Sequence, residues 1–216
     1  MLSTRTFVAI TSTGCAALVV LLLLDYDAAA AAAKLVASTA FLATAVQVGA
    51  LRSAYGRAVL MGLLLSWCGD AFLIDESQQA FLLGLGAFLL AHVAYVAAFI
   101  LKGISLRWLS VAALPVTLIA VVVSMWLAPH VAPYLVTPVR TYTVVISLMV
   151  VAAIGTRGRG ASPLIVAGAL LFFLSDLSVA ALRLIQTGVP TYVWGLPLYY
   201  AGQTLLALST SQSRSH

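Results

Sequence analysis

Long apolar runs dominate the chain, interrupted at intervals by short clusters of Gly, Pro and charged residues. No stretch alternates apolar and polar residues in the way of a barrel strand crossing a membrane. A helix that spans hydrocarbon needs about 20 mostly apolar residues. Eight runs approach that length, at 7–24, 31–51, 58–74, 79–101, 108–127, 137–154, 163–184 and 192–209. The breaks between them carry turn chemistry: Arg52, Gly56 and Arg57, then Lys102, Gly103 and Arg107, then Thr156 to Gly160. Pro129, Pro133 and Pro138 predict an irregular connection between the fifth and sixth helices. The pattern predicts an all-α fold, a polytopic membrane helix bundle of about eight transmembrane helices, forming one transmembrane domain over residues 1–216.

Composition agrees. The chain is 63% hydrophobic and 8% charged, with a mean hydropathy of +1.11. A soluble domain is nearer half apolar and a quarter charged, so such a sequence cannot cover a water-facing surface. The first run resembles a signal peptide, but an acidic loop follows where small residues would mark cleavage, and a retained first helix is expected. Cys15 and Cys68 lie inside apolar runs and read as small interior residues, with no disulfide expected.

A net charge of +5 would suggest nucleic acid in a soluble protein. Here it reads as topology, and no nucleic-acid partner is expected. With eight spans, Arg5, Arg52, Arg57, Lys102, Arg107, Arg157, Arg159 and Arg214 fall on one side. Asp25, Asp27, Asp75 and Glu76 fall on the other. Positive loops mark the cytoplasmic side, which predicts cytoplasmic termini. The Ala- and Leu-rich, short-looped chain reads as a bacterial inner-membrane protein. An endoplasmic-reticulum protein would look similar, and the sequence is silent on oligomeric state.

Spacing suggests an internal repeat. Lys34 and Asp70 are 36 positions apart, as are Arg140 and Asp176, and the two sets are offset by 106. The stretches LLLSWCGDAFL and ALLFFLSDLSV surround the two acids. This is the signature of a parallel four-plus-four duplication. Chance spacing is its rival.

Candidate chemistry sits on those acids. Four of the six acidic residues lie in loops, whereas Asp70 and Asp176 lie within apolar helices. A carboxylate in a bilayer costs a few kcal/mol even on lenient insertion scales, so such residues face an interior and have partners. A buried ion pair or packing contact is the structural alternative to function. Counted from the predicted helix ends, Asp70 lies four residues below the outer boundary and Asp176 eight. At about 1.5 Å per residue these are roughly 6 and 12 Å, so the two can share one cavity. Lys34, Arg140, Arg183 and Glu76 fall near the same side, and Tyr142, Tyr199 and Tyr200 can reach it. Lys34 and Arg140 equally suit snorkelling anchors. His92 forms a stripe with Tyr95 and Phe99 on the fourth helix, near mid-membrane. Gln203 follows Tyr199 by one turn on the eighth.

Other chemistries lack their residues. Of three histidines, His130 lies in a loop and His216 at the terminus, so a zinc site, which needs three or four ligands, cannot be assembled and no metal is expected. Ser66 and Ser175 lie near the acids, but no G-x-S-x-G elbow supports a serine nucleophile. No glycine loop for phosphate is present and no cofactor is expected. A paired-carboxylate site remains.

From Lys34 to the eighth helix the chain resembles the YhhN family, which includes the mammalian transmembrane lysoplasmalogenases. The resemblance rests on LLLSWCGDAFL around Asp70, FLLGLGAFLLAHVAYVAAF around His92, GALLFFLSDLSVAALRL around Asp176 and PLYYAGQTLLALS around Tyr199 and Gln203. The family usually has Lys-Pro in the second helix, where this chain has Lys34 and Leu35. The resemblance implies hydrolysis of the vinyl-ether bond of a lysoplasmalogen, giving a fatty aldehyde and a glycerophospho-ethanolamine or -choline. The expected partner is a lysophospholipid within the bilayer. Vinyl ethers hydrolyse by protonation of a carbon to an oxocarbenium-like cation, chemistry that two carboxyl groups perform in glycosidases. Asp70 and Asp176 are the expected catalytic pair, with the division of acid and base open. Lys34, Arg140, Tyr142, His92, Tyr95, Tyr199, Tyr200 and Gln203 are expected at the substrate. A small transporter and a non-catalytic lipid-binding protein suit the same buried charges.

Overall fold

The computed structural model describes residues 2–211. Arg214 and His216 lie outside them. The described chain folds into eight α-helices: α1 (Thr4–Leu23), α2 (Asp27–Gln47), α3 (Ala54–Phe72), α4 (Gln78–Lys102), α5 (Leu106–Leu127), α6 (Val136–Thr156), α7 (Pro163–Arg183) and α8 (Gly195–Leu208). Each matches a predicted run with its ends shifted by a few residues. Two short 3₁₀ turns, Ala128–His130 and Pro133–Leu135, occupy the proline-rich connection.

Ser3, Ser53, Ser77 and Ser162 each precede a helix and accept a hydrogen bond from a first-turn N–H, which satisfies donors that a helix cannot satisfy itself. Gly103 ends α4 at φ 101°, a conformation that favours glycine.

Six helices are long and apolar enough to cross a membrane. The exceptions are α3 and α8. Arg57 and Asp70 lower the hydropathy of α3, and the 14 residues of α8 extend only about 21 Å. Both belong to a central ring of helices. Packing contacts run α2–α3–α4–α6–α7–α8 and back to α2, closing a ring, with α3 also touching α8. Helix α1 lies outside this ring against α2 and α8, and α5 lies outside against α6.

The polarity is that of a membrane protein. Leu106, Leu114, Val122 and Met125 point outward, while Ser38, Ser66, Asp70, His92 and Gln203 are buried. In lipid, polar groups gain by turning inward to one another. Helices α3 and α4 approach closely because of two glycines. A Cβ on Gly62 would lie 2.5 Å from the Tyr95 ring, and one on Gly69 would lie 2.6 Å from the Phe88 ring. Gly69 thus lets an aromatic ring pack beside Asp70.

Candidate functional site

Asp70 is 3% exposed, near the end of α3. Its Oδ2 accepts a hydrogen bond from Ser38 Oγ at 2.5 Å and from the Tyr199 hydroxyl at 2.7 Å. Ser38 stands one turn beyond Lys34 on α2. The Tyr200 hydroxyl donates to the Lys34 carbonyl at 3.1 Å and lies 3.3 Å from Ser38 Oγ. Two hydroxyl donors on one oxygen fix the carboxyl plane. No cation approaches Asp70 within 4 Å among the described residues, where the only charge contact that short joins His92 and Asp176.

Asp176 lies deeper, two turns before the end of α7. The Tyr142 hydroxyl donates to its Oδ2 at 2.8 Å, and His92 Nε2 lies 3.4 Å from the same oxygen. The imidazole is fully buried, and its Nδ1 sits 2.6 Å from the Phe88 carbonyl oxygen. A carbonyl only accepts, so Nδ1 carries a proton and donates it. Nε2 has no aligned hydrogen-bond partner and faces the Asp176 carboxyl across that gap.

An aromatic cluster bridges the two acids. The His92 ring stacks on Phe172 at 4.5 Å between centroids, and Phe172 meets Tyr199 edge-on at 5.6 Å. Phe88 packs against both Phe172 and Tyr199. Behind this cluster the Tyr95 hydroxyl donates to Gln203 Oε1 at 2.6 Å, and Gln203 Nε2 donates to Ser66 Oγ at 3.0 Å. This chain ties α4, α8 and α3 together in the ring's interior.

A cavity of about 940 Å³ is lined by both aspartates together with Lys34, Tyr142, Tyr199 and Arg183. At one end it reaches Asp27 at the start of α2, and Glu76 and Thr191 in the α3–α4 and α7–α8 connections, all on one side of the bundle. Below them its walls are apolar, with Leu18, Leu85, Phe88, Ile146 and Leu196 among them. The cavity is therefore amphipathic, charged at one end and greasy along its length.

The sequence-predicted residues divide accordingly. Asp70, Asp176, Lys34, Tyr142 and Tyr199 line this cavity. His92 stands behind Asp176, and Tyr200 stands behind Ser38 and Lys34. Tyr95 and Gln203 lie in the interior network. Arg140 is not on this cavity. It lines a second one between α5 and α6, because it sits about 160° around the helix from Tyr142, which faces the first alone. Arg183 is the second cation that the first cavity has. Asp70 and Asp176 stand two and seven residues from their helix ends, slightly nearer the boundary than the predicted ends implied. Ser38, the donor to Asp70, was not singled out by sequence. Its signal was a polar residue one turn from Lys34 in an otherwise apolar run.

The model of the YhhN family matches residues 29–210. The bovine protein named lysoplasmalogenase TMEM86A is 30% identical over 167 residues, covering 72% of this chain and 66% of the relative. Its human counterpart is 31% identical over 163 residues, with the same coverage. The porcine protein named lysoplasmalogenase TMEM86B is 33% identical over 154 residues, covering 70% of this chain and 62% of that protein. The chain thus spans just under two thirds of the length of these relatives. No solved structure matches it.

Proposed function

The chain belongs to the YhhN family, and we propose that it is a membrane hydrolase that cleaves the vinyl-ether bond of lysoplasmalogens. One observation carries this reading: two intramembrane aspartates from α3 and α7 line a single amphipathic cavity. The names of the relatives support the substrate class. The charged end suits a phosphate head group, held by Lys34 and Arg183 as charge-assisted contacts. The apolar length suits a single hydrocarbon chain.

The geometry also supports a division of roles. Asp176, with Tyr142 and His92 beside its Oδ2, acts as the acid and delivers a proton to the carbon of the vinyl ether remote from oxygen. This leaves an oxocarbenium-like cation between the neighbouring carbon and the ether oxygen. Asp70, held by Ser38 and Tyr199, faces that cation as a carboxylate and takes a proton from the attacking water. The water oxygen bonds to the cationic carbon, giving a hemiacetal. The hemiacetal hydroxyl then gives up its proton, the bond to the head-group oxygen breaks, and that oxygen takes a proton in its place, releasing a fatty aldehyde and the glycerophospho alcohol. One water is consumed, and the proton taken by Asp70 replaces the one that Asp176 gave. Charge stabilised in a site that excludes bulk water is worth more than in solution.

The fold carries a finer reading as well. All eight helices cross the membrane, with α3 and α8 tolerating lower hydropathy or length because neighbours shield them, and both termini lie on the cytoplasmic face of a bacterial inner membrane. The two halves are parallel repeats. Shifting each helix by four maps the α2–α8 contact onto α6–α4 and the α3–α4 contact onto α7–α8. It also pairs the acids: each is hydrogen-bonded from the helix before it, by Ser38 or Tyr142, and approached from a helix of the opposite half, by Tyr199 or His92.

The test is chemical. Purified protein in detergent should release fatty aldehyde from a lysoplasmalogen, and D70N and D176N should each lower the rate about a hundredfold or more while remaining folded. Absence of aldehyde from the wild type would overturn the reaction. Full activity in either variant would overturn the paired-aspartate site.

A further inference from the structure

A cleavage site inside a bundle needs a path for its lipid. The polar mouth leads to the loops, and a long chain drawn through it would cross water, where every methylene is unfavourable. The aldehyde product has no head group and must leave into hydrocarbon. A lateral opening is therefore needed, and α5 is the helix built to provide one.

Helix α5 makes its main packing contact with α6 alone, apart from short turns at its ends. Only Ala112, Val116 and Leu127 of its 22 residues are buried. Pro115 lies mid-helix, so the Val111 carbonyl lacks its usual N–H partner. Between α5 and α6 lies a second cavity of about 770 Å³. Its α5 wall carries the small residues Ala113 and Ala120, and Arg140 stands near its loop end. Most of its surface is apolar.

The two cavities share a wall. Leu127, Val139 and Thr143 line both. The Thr143 hydroxyl donates to the Val139 carbonyl of its own helix at 2.9 Å, so no polar group is left unpaired there. Tyr142, which holds Asp176, is adjacent on α6. At these positions a single side chain separates the two cavities, and only one helix with few neighbours must shift to open the partition.

We propose that the crevice between α5 and α6 is a lateral port through which the hydrocarbon chain of a single-chain lipid enters the aspartate cavity and the aldehyde leaves. Arg140 meets the lipid phosphate at the loop end of this port. Lys34 and Arg183 then receive it at the aspartates. The port rests on the reading of the first cavity as the place where such a lipid is cleaved.

Photolabelling tests it without relying on turnover. The full chain in lipid nanodiscs is incubated with a long-chain lysophospholipid carrying a diazirine at its chain end, and labelled peptides are mapped. Label on crevice residues of α5 and α6, lost in A120W, is the expected result. Label distributed evenly over outward-facing helices, or unchanged in A120W, would overturn the port. Aldehyde release gives a second readout, from alkenyl substrates with long and short chains. An indole that displaces roughly two methylenes should lower the long-to-short ratio of kcat/KM about tenfold. An unchanged ratio would overturn the port and leave the hydrolase reading intact. If the wild type releases no aldehyde from either substrate, the hydrolase reading fails, and the labelling map alone decides the port. If A120W does not fold, the wild-type map still decides.

Discussion

Replacing Tyr199 by Phe removes one oxygen from the site and little else. The Tyr199 hydroxyl donates to Asp70 Oδ2 at 2.7 Å, and Ser38 supplies the other donor on that oxygen. A hydrogen bond to a charged group is worth about 1.5–3 kcal/mol. If Asp70 acts as the carboxylate that faces the cation, losing one of its two donors misaligns it and weakens its ionised form in the transition state. At about 1.4 kcal/mol per tenfold change in rate, kcat should fall roughly 12- to 150-fold. The ring itself remains, with its edge contacts to Phe88 and Phe172 at 5.8 and 5.6 Å between centroids, so packing is conserved. Tyr200 is the internal control. Its hydroxyl donates to the Lys34 carbonyl rather than to Asp70, and a neutral bond of that kind is worth about 0.5–1.5 kcal/mol. Y200F should therefore lose less than Y199F. The assay is aldehyde release by purified protein, with the Tm of each variant measured in the same detergent. Wild-type kcat in Y199F would refute the assignment of Asp70 as the working carboxylate. A lowered Tm without a lowered kcat would reduce the bond to a structural contact.

Two further outcomes are expected. His92→Phe keeps the stacking on Phe172, at 4.5 Å in the wild type, but removes the ring nitrogen that faces Asp176 at 3.4 Å; if that nitrogen relays protons to Asp176, kcat should fall about a hundredfold with KM nearly constant, and an unaltered kcat would take His92 off the proton path. Gly62→Leu forces a side chain into the space of the Tyr95 ring, which lies 2.5 Å from where its Cβ would stand; overpacking of this kind costs about 1–3 kcal/mol, so thermal unfolding in detergent should begin several degrees lower, and an unshifted Tm would mean that α3 and α4 separate freely.

Much of the fold was legible in the chain. Eight apolar runs became eight helices because hydrogen-bonding demands in lipid leave a helix as the one local solution for an unbroken apolar stretch, with serine caps at four of the starts and Gly, Pro and charged residues in the breaks. The two aspartates were legible for a related reason: a carboxyl in an apolar run is too costly to stand there without partners. What those partners are was not legible. Ser38, Tyr199, Tyr142 and His92 reach the acids from four different helices, and spacing along one helix says nothing of which neighbour it will face. Arg140 shows the limit most clearly. Its spacing from Asp176 equals that of Lys34 from Asp70, yet it lies on the next cavity, because one residue's rotation about a helix decides which space a side chain enters. The pairing of His92 with Asp176 depends on α4 lying against α6, which in turn packs on α7. Only packing, through glycines that admit Phe88 and Tyr95 against α3, sets that arrangement.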